Sequence, residues 1–172
     1  GDALLEAVEA SPEELLASSA AIETDDPYTS TAAYAMLGID RSGELLPALR
    51  STLETRGAFA RMIAGSAGGP GLLTVRTDRP VTEHFGVAAW SVDHVLYGGE
   101  SGRADGIEEL LRSALGELRE RGASLVSVRV RADDLAALAA FQSHGFQVTD
   151  TMVTHSIKPR RADQPMALRR EY

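Results

Sequence analysis

Asp105-Gly106-Ile107-Glu108-Glu109-Leu110-Leu111-Arg112-Ser113-Ala114-Leu115-Gly116-Glu117-Leu118 decides the fold class. Ile107, Leu110, Leu111, Ala114, Leu115 and Leu118 recur three and four residues apart, so a helix here carries one continuous apolar stripe that must be buried against a sheet or another helix. Asp105 can cap its start, Glu108 three residues on completes a capping box, and Gly122 stops it. The spacing predicts a helix over residues 105–121.

Outward from this helix the chain alternates. Upstream, Phe85 to Tyr97 is an apolar, aromatic and β-branched run, too long for one ordinary strand, so it is expected to bend or divide near Ala88-Ala89. Leu72 to Arg76 is a short strand before the turn Thr77-Asp78-Arg79-Pro80, and Gly98 to Gly102 is a loop. Downstream, Leu125, Val126, Val128 and Val130 make a strand. Asp133 and Asp134 cap a helix with Leu135, Leu138 and Phe141 inward, Gly145 ends it, and Phe146 to Ile157 is a last strand. A β-α-β-α-β order predicts an α/β (α+β) fold, a mixed twisted sheet with helices on both faces.

The first seventy residues read as helices packed on that core. Ser11-Pro12-Glu13-Glu14 starts one that runs to Ile22, a shorter one covers Thr31 to Leu37, and Leu45, Leu46, Leu49 and Leu53 mark another that stops at Gly57. Phe59, Met62 and Ile63 form a further apolar patch. The glycine-rich run Gly65 to Gly71 divides this part from the rest. The expected organisation is a helical segment over 1–70, an α/β core over 71–157 and a polar basic tail over 158–172.

With 172 residues, 44% of them hydrophobic and 24% charged, the chain has the make-up of one soluble globular unit. No apolar run reaches the roughly 18 residues of a membrane span, and no basic-then-apolar leader opens the chain, so a cytoplasmic protein without a membrane partner is expected. There is no cysteine, hence no disulfide, thiolate nucleophile or cysteine-held zinc, and no H-E-x-x-H or similar set, so no metal site is expected. A net charge of -8 repels phosphate backbones and argues against a nucleic-acid partner. Arginine outnumbers lysine sixteen to one and asparagine is absent, the coding bias of a high-GC bacterial genome.

Val95 to Phe146 resembles the core of the Gcn5-related N-acetyltransferase (GNAT) superfamily. Its loop pattern, Arg/Gln-x-x-Gly-x-Gly/Ala, is met by Arg103 and Gly106 and ends here on Glu108. Its Asn-x-x-Ala, Tyr, Gly-Phe series is matched in spacing by Asp134-Leu135-Ala136-Ala137, Phe141 and Gly145-Phe146. Glu83-His84-Phe85-Gly86, Arg129 with Asp133-Asp134, and Gly145-Phe146 followed by Asp150-Thr151-Met152-Val153 resemble the amino-sugar (fucosamine) acetyltransferases, over about residues 72–157. The resemblance implies a GNAT-like sheet, acetyl-coenzyme A as co-substrate and a small amine such as an amino sugar as acceptor. A homodimer is compatible with it.

A helix N-terminus offers unpaired N–H groups and about half a positive charge to a phosphate. On the resemblance, Arg103 and the N–H groups of Gly106, Ile107 and Glu108 hold the pyrophosphate, and Asp134 also faces the cofactor. Asp105 and Glu108 compete there as caps and repel the anion. Amine acetylation needs a proton acceptor and a proton donor for the leaving sulfur. The strand leading to the Arg103 loop, where the family places its base, carries Asp93 and His94. As strand neighbours they are expected to face opposite ways, so only one reaches the cleft. Histidine, with an ordinary pKa of about 6.5, is the better poised. Tyr97 is the candidate acid, since Phe141, where the family has tyrosine, has no proton to give and reads as a core anchor. His84 with Glu83 and His155 with Asp150 are lesser candidates. Two readings stay open: an acyl-coenzyme A N-acyltransferase, and a catalytically silent domain of the same fold that binds a ligand or partner.

Overall fold

The computed structural model describes residues 7–9, 14, 45–66, 69–97, 103–132 and 134–151. The helices expected from Ser11 to Ile22 and Thr31 to Leu37, the Gly98 to Gly102 loop, the end of the last strand and the basic tail lie outside these residues, Glu14 aside. In chain order the elements are β1 (Ala7–Glu9), α1 (Leu45–Leu53), β2 (Phe59–Ser66), β3 (Gly69–Thr77), α2 (Arg79–Phe85), β4 (Ala89–Tyr97), α3 (Arg103–Glu120), β5 (Leu125–Val128) and α4 (Leu135–Ser143).

The five strands form one sheet in the order β1-β2-β3-β4-β5. The first three pairings are antiparallel, and β4 and β5 run parallel, with α3 as the crossover a parallel pair requires. Period-two alternation divides the side chains between two faces. Phe59, Ile63, Leu73, Val75, Trp90 and Val92 meet Ile107, Leu110, Leu111, Ala114, Leu115 and Leu118 of α3 and Ala137, Ala140 and Phe141 of α4. Ala60, Leu72 and Leu96 meet Leu49 of α1 on the other face. The apolar stripe read from the sequence is thus the main core, and Phe141, 2% exposed with Phe146 edge-on at 5.0 Å, is its anchor.

Five expectations are corrected. Phe59 to Ser66 is a strand rather than a helical patch, because its alternate residues include Arg61, which is buried only by bonding Ser113 Oγ at 3.1 Å and Glu117 at 2.7 Å on α3. The described residues of the Gly65–Gly71 run belong to the antiparallel strands β2 and β3, with Ser66 paired to Gly69, so the run lies inside the sheet and does not divide a helical part from a core. Thr77-Asp78-Arg79-Pro80 opens a helix: Asp78 accepts from the Val81 N–H at 3.1 Å, Pro80 fits the first turn, and Gly86 closes it at φ 67°. The helix expected from Asp105 starts at Arg103, which places Asp105 in the first turn and not at the cap. The division at Ala88-Ala89 and the helix from Leu45 to Leu53 stand as read. Residues 146–151, expected to begin the last strand, carry no regular structure.

Candidate functional site

β4 pairs with β3 along its length but with β5 only from Ala89–Leu125 to Val92–Val128, so Asp93 to Tyr97 continue past the last shared rung. At that point β4 holds an extra residue: Thr74 faces His94 and Val75 faces Val92, leaving Asp93 as a β-bulge. Val92 and Val95 both pack into the core under α3, three positions apart. The two residues between them therefore both lie on the α1 face, and the expectation that Asp93 and His94 point opposite ways is corrected.

Bonding confirms the placement. Asp93 Oδ2 accepts from Thr52 Oγ1 of α1 at 3.1 Å and from Arg76 Nε, and Oδ1 accepts from Ser91 Oγ at 2.9 Å. His94, 6% exposed, has Nδ1 2.8 Å from Thr74 Oγ1. Thr74 and Arg76 sit two apart on β3 and share a face with Leu72, so six polar side chains gather where β4 parts from β5. Thr52, Thr74, Arg76 and Ser91 were missed as site residues in the sequence. The signal available for two of them was the alternation Leu72, Thr74, Arg76, polar where a fully apolar strand was expected.

Tyr97 does not join this cluster. It lies on the α3 face, about 10 Å further along the strand at 3.3 Å per residue. It is 5% exposed, and a Cβ added to Gly106 would come within 2.1 Å of its Cε2, while one added to Gly71 would come within 2.8 Å of Cδ2. Gly106 is bare on the side that admits the tyrosine ring, a requirement for glycine that the sequence alone did not show. Burial first and the nearby Asp105 carboxylate second push the Tyr97 hydroxyl above its ordinary pKa, so it keeps its proton.

With α3 starting at Arg103, the i→i−4 ladder consumes the amides of Ile107 and Glu108, and the Ile107 side chain is wholly buried in the core. The helix end open to an anion is formed by the amides of Arg103, Ala104 and Asp105, three residues earlier than expected. Glu108 is exposed. Asp134, expected near the cofactor, caps α4 by accepting from the Ala137 N–H at 3.1 Å. His84 and Glu83 lie on α2, with Glu83 ion-paired to Arg79 at 2.6 Å, away from the bulge. Asp150 is exposed, and His155 lies outside the described residues. Among the described residues no three histidines and carboxylates group as a metal site, and no helix is long and apolar enough to cross a membrane.

No family model and no curated protein matches the chain. Solved structures do. A ribosomal-protein-alanine N-acetyltransferase from Brucella melitensis biovar Abortus 2308 aligns at TM-score 0.56 and 16% identity, over 90% of this chain and 100% of its own. An acetyltransferase from Trypanosoma brucei gives 0.52 and 15%, over 90% and 100%. A transcriptional regulator from Bacillus halodurans C-125 gives 0.61 and 16%, over 90% and 100%. The likeness at this identity is one of fold: the mixed α/β architecture expected from the sequence is the one found in these acetyltransferases.

Proposed function

We propose that the protein is an acyl-coenzyme A-dependent N-acyltransferase, transferring an acetyl group to a small amine. The observation that carries this is the bulge at Asp93, which falls where the β4–β5 pairing ends and turns Asp93 and His94 to one face of the sheet. The α3 N-terminus follows β4 in the chain, so one strand links a reaction point to an anion point.

The residues present fit acetyl-coenzyme A in part. The first-turn backbone amides of residues 103–105 would receive the pyrophosphate, and the coenzyme would supply the acyl thioester. Asp105 opposes the anion, and the Gly106 recess is already filled by Tyr97.

His94 acts as the base. When Nδ1–H donates to Thr74 Oγ1, Nε2 carries the lone pair and takes a proton from the acceptor ammonium. The neutral amine nitrogen then attacks the thioester carbonyl carbon, the new C–N bond forms as the C–S bond breaks, the imidazolium gives its proton to the thiolate, and the acylated nitrogen sheds its second proton to solvent as the neutral amide forms. Asp93, each of whose oxygens already accepts from a neighbour, positions rather than deprotonates. Tyr97 supports the first turn of α3 and is not the acid.

The finer reading, an amino sugar as acceptor, rests on the sequence resemblance, and such amines belong in the substrate screen. The silent-domain reading is favoured by two observations, the acidic Asp105 at the anion point and the apolar Phe141 where the family has a tyrosine. Isothermal titration of acetyl-coenzyme A into the full chain separates them. Saturable one-to-one heat, with thiol release on adding an amine, is expected, and no heat at millimolar coenzyme would leave the silent domain.

A further inference from the structure

We infer that the acceptor amine carries its own carboxylate, which docks on the guanidinium of Arg76, so that the substrate class is an amino acid. This deepens the acyltransferase reading and rests on it.

Arg76 stands on β3 opposite Ser91, on the same face as Asp93 and His94. Its Nε donates to Asp93 Oδ2, which fixes the plane of the guanidinium. Among the described residues the two terminal nitrogens donate to none, and the side chain is 37% exposed where that of Asp93 is 14% exposed. A pinned guanidinium with its fork turned outward matches a carboxylate through two parallel N–H···O bonds, a geometry that a lysine cannot offer. Asp93 is itself held by Thr52 and Ser91, so the arginine is braced from behind.

Spacing and charge limit the ligand. The Thr74–His94 row and the Arg76–Ser91 row are two β3 residues apart, about 7 Å along the strand, and the arginine leans towards Asp93 and shortens that gap. An acceptor with its amine at His94 and an anion on Arg76 therefore has only a few bonds between the two groups. Arg76 and Asp93 together are neutral, and a zwitterion laid across them meets opposite charge at each end. A phosphate dianion there would set surplus negative charge beside the Asp93 carboxylate, whereas a carboxylate monoanion balances the guanidinium. A carboxylate is favoured over a phosphate on that ground.

The test pairs free amino acids with their carboxamides, using the full chain with acetyl-coenzyme A and reading thiol release. The acid should exceed its amide in kcat/KM by about ten- to a hundredfold, the range for hydrogen bonds to a charged group. Arg76→Gln should bring the two within about threefold, and Arg76→Lys, which keeps the charge and guards against loss of fold, should fall between. Equal use of acid and amide by the wild type, or a preference that survives Arg76→Gln, would overturn the inference and leave the acyltransferase reading intact. If no amine is acetylated, that reading fails, and ligand-observed NMR with the same pairs decides the inference separately. Acid-selective binding lost in Arg76→Gln upholds it; binding without preference overturns it.

Discussion

The ring of Tyr97 occupies the place that a side chain on Gly106 would take, with 2.1 Å between an added Cβ and Cε2. Gly106→Ala therefore sets two effects against each other. Alanine gains up to about 1 kcal/mol in a helix interior, whereas overpacking a filled recess costs about 1–3 kcal/mol. The expected outcome is net destabilisation, read as a lower urea midpoint. Gly116→Ala, with nothing within 4 Å of its Cβ, should raise the midpoint on the same helix. Equal gains from both would show that Tyr97 yields freely.

Asp134→Ala should lower stability by about 0.5–2 kcal/mol through loss of the α4 cap. It should leave the dissociation constant for acetyl-coenzyme A unchanged, since the carboxylate bonds the Ala137 N–H. Titration of the folded variant checks this, and a weakened constant would return Asp134 to the cofactor site.

Glu117 accepts from Arg121 and from the buried Arg61, and these partners, Arg121 first, hold its carboxyl below the ordinary glutamate value of 4.5. A depressed folded-state pKa stabilises above the ordinary value and loses that contribution as pH falls through the folded value. The gap in urea midpoint between wild type and Glu117→Gln should be widest near neutral pH and narrow as the pH falls below the ordinary glutamate value of 4.5. A gap that stays constant down to pH 3 would remove the ion pairs from the stability of α3.

The parts of the fold legible in sequence were those whose signals are local. The α3 stripe, the Asp134 cap and the Gly145 stop each decide themselves within one or two turns. Arg61 shows why β2 was not legible: its burial depends on Ser113 and Glu117, more than fifty positions away. The Asp78 cap with Pro80 was a readable helix start, but it has the same residues as a turn. The candidate site was half legible. Asp93 and His94 stood out by residue type, but the bulge that brings them to one face is set by the register of β4 against β3, which neither strand's own pattern encodes. Tyr97 was chosen for its place at the strand end, and the same bulge puts it on the other face.

Tyr97→Phe separates that placement from an acid role. Turnover within about threefold of wild type is expected, since Tyr97 stands on the opposite face of the sheet and about 10 Å further along the strand than His94. A loss of a hundredfold or more, the usual cost of a removed proton donor, would make Tyr97 the acid.

The central claim, that His94 at the β4 bulge takes the proton from the acceptor amine, is tested most directly by the pH–rate profile of kcat/KM for wild type and His94→Gln, measured by thiol release from acetyl-coenzyme A. The expected result is an acidic limb in the wild type that disappears in the variant, with turnover at neutral pH lower by about a hundredfold to ten-thousandfold. An active variant with the same acidic limb would contradict it.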